Sequence, residues 1–331
     1  MKNFQKYETE FIVILIPVFN DWYSLGILLE HLDYVLFDAA IKCEILVIDD
    51  ASTIPAHEKF ITTNFQSIKK ISCLKLKRNL GHQRAITIGL AYTEAYIYCP
   101  AVLVMDGDGE DAPKDVIKLI EKCNDEEYQK IVFACRTQRS ESFLFRTFYF
   151  IYKLLYKILT GQTISIGNFS LIPYKLLSRI VVISEIWNHY SSGILKAKLP
   201  WVKIPCKRGS RLSGKSKMNF ISLVIHGLSA ISVYGDIIGV RLLIATLVLM
   251  LCSFILISIV ILIRLAIPNW APYVAGLSFI ILLQSMNISI CFVFLVLNGR
   301  NNFNFLPHRD YHYFVLGLEE IFPNKNIEFN K

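Results

Sequence analysis

Between Val102 and Pro113 the chain reads VLVMDGDGEDAP: an apolar run that ends in four acids within six residues, Asp106, Asp108, Glu110 and Asp111. Like charges this close repel and raise one another's pKa. Such a cluster persists in water or around a cation. As a solvated turn it would use Gly107 and Gly109 as turn residues. An EF-hand calcium loop needs glycine at its sixth position and glutamate at its twelfth. Counted from Asp106 those are Asp111 and Ile117, which excludes it. A third reading is Asp-x-Asp at the end of a strand, holding a divalent ion whose shell a phosphate completes; the choice between it and the solvated turn rests on the remainder of the chain. Asp111, just before Ala112 and Pro113, reads as the cap of the helix that follows.

The elements that would position these acids are legible in the apolar pattern. Phe11–Phe19, Cys43–Ser52, Ile71–Asn79, Ala101–Asp108 and Lys130–Arg136 are short apolar runs rich in β-branched residues, as in strands buried on both faces. Between them Ser24–Leu36, His82–Tyr96 and Pro113–Cys123 space their apolar residues as helices do, with Pro113 in a first turn. The alternation predicts an α/β domain with a mostly parallel sheet covered by helices on both faces. Ligands of such sheets bind at the carboxyl ends of the strands. Here those ends carry Asn20 and Asp21, Asp49 and Asp50, Asn79, Asp106 and Asp108, and Arg136.

The chain has 331 residues, 53% apolar, with mean hydropathy +0.43 and net charge +8. That hydropathy predicts a membrane part. Leu242–Ile263 is 22 residues without a charge, enough to cross a hydrocarbon core of roughly 30 Å. A short turn with Trp270 at interface depth leads to a second apolar run, Tyr273–Leu297. The two lengths and their short connection predict a transmembrane hairpin rather than a buried soluble one. Gln284 and Asn287 inside the second run are expected to hydrogen-bond to the first. Lys203, Lys207, Arg208, Arg211, Lys215, Lys217 and Arg241 precede the hairpin and Arg300 and Arg309 follow it. This bias places both termini and the α/β domain in the cytoplasm. Basic charge gathered on the membrane side favours lipid headgroups or a lipid phosphate over nucleic acid. Segments 143–159 and 218–240 read as membrane-surface helices, with core helices of the α/β domain as the alternative. The expected plan is a catalytic domain over 1–215, a juxtamembrane segment over 216–240, the hairpin over 241–298 and a cytosolic tail over 299–331. Eight scattered cysteines with no C-x-x-C pair indicate reduced thiols rather than a disulfide framework or a zinc site. The N-terminus has no apolar core of signal-peptide length.

An Asp-x-Asp beside acid-tipped strands and basic residues suits a nucleotide-sugar site. There an ion would neutralise charge building on a departing nucleoside diphosphate and arginines would grip phosphate. In order, IPVFND, VIDDAS, RNLGHQRAITIGL, MDGDGEDAP, GNFSLI and RGSRLSGKSKM resemble glycosyltransferase family 2. More closely they resemble its membrane-anchored polyprenyl-phosphate branch, the dolichyl-phosphate mannose synthases and bactoprenyl-phosphate glucosyltransferases. The resemblance covers about residues 11–241. It implies a GT-A fold, a UDP- or GDP-sugar donor, Mg²⁺ or Mn²⁺, and inverting transfer to a polyprenyl (undecaprenyl) phosphate at the cytosolic face of the bacterial inner membrane, feeding cell-envelope glycan modification. It is also compatible with a homo-oligomer. By the same resemblance Pro17, Asn20 and Asp49 belong to the donor-base pocket, supported by Asp50. Asp106 and Asp108 belong to the metal and diphosphate site, with Glu110 where relatives often have glutamine. Arg136 and Arg146 hold donor or acceptor phosphate. Arg211, Gly214, Ser216 and Lys217 match an R-x-x-G-x-S-K loop that closes over the site. Where some bacterial relatives read GDF, with an aspartate considered catalytic, this chain has Gly167, Asn168 and Phe169.

Other readings are a family 2 transferase with a different glycolipid or polysaccharide acceptor, and a non-catalytic membrane scaffold. The intact Asp106/Asp108 pair speaks against the scaffold. A processive synthase lacks its Q-x-x-R-W motif here, and no G-x-G-x-x-G follows the first strand as a dinucleotide-binding enzyme requires. His82 and His189 are acid–base candidates, with structural roles the alternative.

Overall fold

The computed structural model describes residues 11–56, 64–136, 143–163, 166–207, 209–214, 220–267, 273–300 and 305–323. The chain divides into two compact units. One comprises Met1–Thr147, Ile164–Val233 and Phe305–Lys331, the other Phe148–Thr163 and Tyr234–Asn304.

The first unit is built on one sheet. Its strands are β1 (Phe11–Val18), β2 (Lys42–Asp49), β3 (Ile68–Leu76), β4 (Ala101–Val104), β5 (Ile131–Arg136), β6 (Ser170–Pro173), β7 (Trp201–Cys206) and β8 (Val315–Phe322), in the order β7-β5-β6-β4-β1-β2-β3-β8. β1, β2, β3 and β4 run parallel, as do β5 and β7. β6 is antiparallel to both β4 and β5. The carboxyl ends of all the strands expected from the sequence therefore share one edge, and the start of β6 shares it too.

Alternation along β1 sends side chains to the two faces. Ile12, Ile14, Ile16 and Val18 face a core completed by α1 (Trp22–Asp38), with Leu25, Leu28, Leu29, Leu32 and Leu36, and by α3 (Pro113–Asp125). Val13 and Leu15 face the other core, covered by α2 (His82–Tyr96), α5 (Tyr174–Ile180) and α6 (Tyr190–Lys196). The GT-A-like α/β architecture is the one the resemblance implied.

β8 stands at the far edge, antiparallel to β3, with Lys70 Nζ 2.7 Å from Glu320. The stretch read from sequence as a tail thus returns to the sheet. Its pattern is weak because an edge strand with mostly exposed residues buries too little to alternate visibly.

Further helices are α4 (Phe143–Thr160), α7 (Phe220–Ser232), α8 (Gly235–Ala266), α9 (Tyr273–Arg300) and a single turn, α10 (Pro307–Asp310). From Phe150 on, α4 exposes Phe150, Ile151, Leu154, Leu155 and Ile158. α7 exposes Val224, Ile225 and Leu228. In the second unit α8 packs beside α9, and Arg241 donates to the Ile158 carbonyl at 2.6 Å. Among the described residues one helix, Gly235–Ala266, is long and apolar enough to cross a membrane. Gln284 and Asn287 are exposed on α9. The expected hydrogen bonds from them to α8 are not among those the described residues make.

Candidate active site

The shared strand edge holds an open cavity of about 170 Å³, lined by Pro17, Val18, Phe19, Asp21, His82, Asp106, Gly107, Asp108 and Arg211. Its floor is the tip of β1 and the turn that follows β4.

The turn is shaped by its own acids. The Asp111 carboxylate reaches back to accept the Asp106 N–H at 3.0 Å, and Asp108 Oδ1 accepts the Glu110 N–H at 3.0 Å. Asp111 therefore closes the acidic turn rather than capping α3, whose N-cap position is Ala112. Asp111 is 3% exposed, and closing the turn uses its carboxylate where no solvent can. Burial, with neighbouring Asp106 and Glu110, raises the pKa of Asp108 against the opposing pull of the Glu110 N–H and Arg211.

One wall of the cavity is the loop after β7. Gly209 N–H donates to the Glu110 carbonyl at 2.8 Å and Leu212 N–H to the Asp108 carbonyl at 2.9 Å. The approach is so close that a Cβ on Gly209 would stand 2.7 Å from the Gly109 carbonyl oxygen. Gly109 itself has φ +83, and a Cβ there would meet the Leu212 side chain. The docked loop delivers Arg211, which donates through Nη1 to Asp108 Oδ2 at 2.8 Å, through Nη2 to Asp21 Oδ2, and through Nε to the Ser213 carbonyl at 2.8 Å. Asp21 is steadied by the Ser24 hydroxyl at 2.7 Å. One guanidinium thus joins the ends of β1 and β4, using the fork geometry a lysine lacks.

The opposite wall is the start of α2. His82 Nε2 lies 3.1 Å from Asp106 Oδ1 and 3.0 Å from Asn168 Nδ2. Partial desolvation opposes a charge on this ring, but Asp106, helped by Asp111 and Asp108, outweighs it and the pKa is raised. Asn168 reaches the site because β6, which it precedes, runs antiparallel to β4. Behind it, His189 is the N-cap of α6: its Nδ1 accepts the Ser192 N–H at 3.3 Å, and its Nε2 lies 3.3 Å from Nε2 of His226 on α7. Burial, then His226, pushes the pKa of His189 down to about 3, so the structure gives this residue a neutral structural part.

Beyond the β1 tip a second polar group surrounds the 49–54 loop. Asn20, at φ 53, accepts the Thr53 and Ile54 N–H groups at 2.8 and 2.9 Å. Asp49 accepts the Ser52 N–H at 2.9 Å, and Trp22 Nε1 donates to the Ile54 carbonyl at 2.8 Å. Asp50, 3% exposed, turns away and accepts the Leu80 and Gly81 N–H groups at 2.7 and 2.8 Å, fixing the entry to α2. Asn20, Asp49 and Asp50 are not among the cavity-lining residues.

A model of glycosyl transferase family 2 matches residues 13–186, which run from β1 through the acidic turn and His82 to Asn168. The match takes in more than half of the chain. It belongs to glycosyl transferase family 2. The chain is similar to YkcC, an uncharacterised glycosyltransferase of Bacillus subtilis, 25% identical over 232 residues, 66% of this chain and 68% of that protein. It is also similar to the undecaprenyl-phosphate 4-deoxy-4-formamido-L-arabinose transferase of Edwardsiella ictaluri, 23% identical over 279 residues, 79% of this chain and 80% of that protein. Among solved structures, a Mycobacterium tuberculosis glucosyl-3-phosphoglycerate synthase in complex with phosphoglyceric acid has TM-score 0.49 and 15% identity, covering 70% of this chain and 80% of that one.

Of the residues singled out from sequence for this family 2 site, Pro17, Asp106, Asp108 and Arg211 line one cavity, and Asn168 abuts it through His82. Glu110 contributes main-chain groups to the turn and to the loop docked on it. Arg136 ends β5 at the same edge and Arg146 falls in α4; their side chains, and Ser216 and Lys217 entirely, lie outside the described residues. Sequence reasoning left Asp21, Gln83 and His226 without a part. Asp21 was visible as a polar strand end, but its pairing with Arg211, 190 positions away, was not.

Proposed function

We propose that this family 2 glycosyltransferase moves a sugar from a nucleotide-sugar donor to a polyprenyl phosphate at a membrane surface. The observation that carries the reading is the cavity where Asp106, Asp108 and Arg211 meet at the carboxyl ends of β1 and β4. Carboxylate oxygens are hard donors of the kind Mg²⁺ and Mn²⁺ take. Among the described residues no three His, Cys, Asp or Glu side chains form a metal cage. We read the site as one for an ion bound through one or two carboxylates and completed by substrate phosphate. Asp106 and Asp108, with Glu110 beside them, would hold it, and it would supply charge neutralisation on the departing diphosphate.

The chain's own residues do the rest. The 49–54 loop, braced by Asn20, Asp49 and Trp22, forms the wall for the donor base, and Pro17 lines the floor below it. Arg211, held between Asp108 and Asp21, would set its positive charge beside the substrate phosphate, and the family resemblance assigns Arg136 and Arg146 to phosphate as well. Ser216 and Lys217, which complete the R-x-x-G-x-S-K match in the sequence, would serve the same phosphate. A lipid phosphate is already anionic near neutral pH and attacks the sugar carbon without a strong base. It needs alignment against a second anion, which fixed positive groups provide. One displacement then inverts the anomeric centre. Asn168, which takes no proton, is compatible with a step that needs no base at this position.

The names of the relatives support an undecaprenyl-phosphate acceptor. Helices α8 and α9 provide the membrane hairpin, with the catalytic unit and both termini on the cytoplasmic side, consistent with the basic residues flanking the hairpin. The test is transfer of sugar from a panel of UDP- and GDP-sugars to undecaprenyl phosphate, with Mg²⁺ or Mn²⁺, read by mass spectrometry of the lipid. Product with the wild type and none with Asp108→Asn, folded to the same melting point, is expected. Transfer only to a glycolipid or polysaccharide would replace the acceptor, and an active Asp108→Asn would remove the metal assignment.

A further inference from the structure

The amide of Asn168 has a polarity that the surrounding hydrogen bonds decide. Tyr190 N–H at the start of α6 lies 2.7 Å from Gln83 Oε1. A backbone N–H only donates, so that atom of Gln83 is its oxygen and the other end is its NH2. Gln83 Nε2 lies 3.3 Å from the Asn168 carboxamide, whose facing atom must then be Oδ1. Asn168 Nδ2 is thereby turned toward His82, 3.0 Å from Nε2. That nitrogen is also 3.1 Å from Asp106 Oδ1, and one ring nitrogen cannot donate to a carboxylate and accept from an amide together. An amide NH2 carries two hydrogens in any case, and His82 takes at most one. Tyr190 N–H, Gln83 and Asn168 thus form a one-way relay that ends in a donor beside His82, a residue of the cavity wall, where the aspartate of a GDF sequence would set an acceptor.

We propose that Gln83 is a positioning residue that locks the Asn168 carboxamide with its NH2 toward the cavity, so that position 168 donates a hydrogen bond to a phosphate oxygen of a substrate instead of serving as a base. This rests on the reading of the cavity as a site for phosphate-bearing substrates. The phosphate can belong to the nucleotide sugar or to the lipid, and the kinetics separate the two.

The deciding variant is Gln83→Glu. It keeps length and shape and still accepts the Tyr190 N–H, but it has no N–H for Asn168 Oδ1, so the Asn168 amide reverses and offers its oxygen to the cavity. Expected is a fall in kcat/KM of about tenfold or more, the size of one lost hydrogen bond to a charged group. KM should rise for the lipid phosphate alone if Asn168 holds the acceptor, and for the nucleotide sugar alone if it holds the donor. In an Asn168→Ala background Gln83→Glu should cost nothing further, because the group it positions is gone. Asn168→Asp, which leaves the relay intact, should also lose activity by placing a carboxylate against phosphate. A gain of activity in Asn168→Asp, or an equal loss from Gln83→Glu with and without Asn168, overturns the inference and leaves the proposed function standing. No turnover by the wild type across the donor and acceptor panel refutes the proposed function, and the inference with it.

Discussion

His189 offers a quantitative check on how α7 is joined to the catalytic unit. Its ring is 8% exposed, its Nδ1 is committed to the Ser192 N–H, and its Nε2 proton is shared with His226. Adding a second proton would point an N–H at the helix start and charge a ring beside another imidazole, and the pKa is accordingly held at about 3. An unfolded histidine titrates near pH 6.5. The folded pKa is depressed, so the unfolded state binds more protons between those limits. The contribution to stability is therefore complete above the unfolded value and is lost as pH falls through the window from about 6.5 toward 3. At about pH 5.5 the loss relative to about pH 7.5 is about 1.4 kcal/mol, and it does not depend on the exact folded value so long as that lies well below. For a domain of this size this is a drop of roughly 3–5 °C in melting temperature. Asn at position 189 keeps the helix cap and does not titrate. The assay is the difference in melting temperature between wild type and His189→Asn, in detergent, across this pH range. Subtraction cancels the titrating groups that do not touch residue 189, His82 included. Two curves that stay parallel would refute the buried neutral pair.

Gly209→Ala should push the loop after β7 off the acidic turn, because its Cβ would meet the Gly109 carbonyl at 2.7 Å. With its bond to Asp108 broken, the Leu212 amide should exchange hydrogen about tenfold faster, as expected for the loss of about 1.4 kcal/mol. Unchanged exchange would show that the loop accommodates the methyl. Arg211→Gln should lower kcat/KM by tenfold to a hundredfold, roughly the strength of a charge-assisted bidentate contact. Arg211→Lys should restore only part of it, since one ammonium cannot span Asp21 and Asp108; full activity in the lysine variant would contradict the bridging geometry. Asp50→Asn replaces one of two oxygens that accept backbone N–H groups with a donor. It should cost about 1–3 kcal/mol, measured by denaturant unfolding, and no measurable loss would mean that the α2 entry loop is held by something else.

Much of this protein is written locally. The parallel strands and their helices could be read because burial on both sheet faces demands unbroken apolar runs and amphipathic helices demand spacing by turns. Strand ends in such a sheet collect ligands, so Asp106 and Asp108 could be named before any coordinates, and the family resemblance added Pro17. The order of six short motifs gave the family. The apolar runs at 242–263 and 273–297 are equally local, and both are helical where described.

What sequence could not contain was pairing over distance and direction. The β8 strand was hidden because an exposed edge leaves little pattern. Asp111 looked like a helix cap from its neighbours, and only the fold of the turn sent its carboxylate back to Asp106. The antiparallel insertion of β6 is what carries Asn168 to the site, and nothing in the residues GNFSLI states a strand's direction. Residue types alone fixed which groups were capable of chemistry, since charge and hydrogen-bonding capacity belong to the side chain. The tertiary structure decided which carboxylate meets Arg211, which histidine is neutral and which way one amide points, because these depend on desolvation and on partners supplied from elsewhere in the chain.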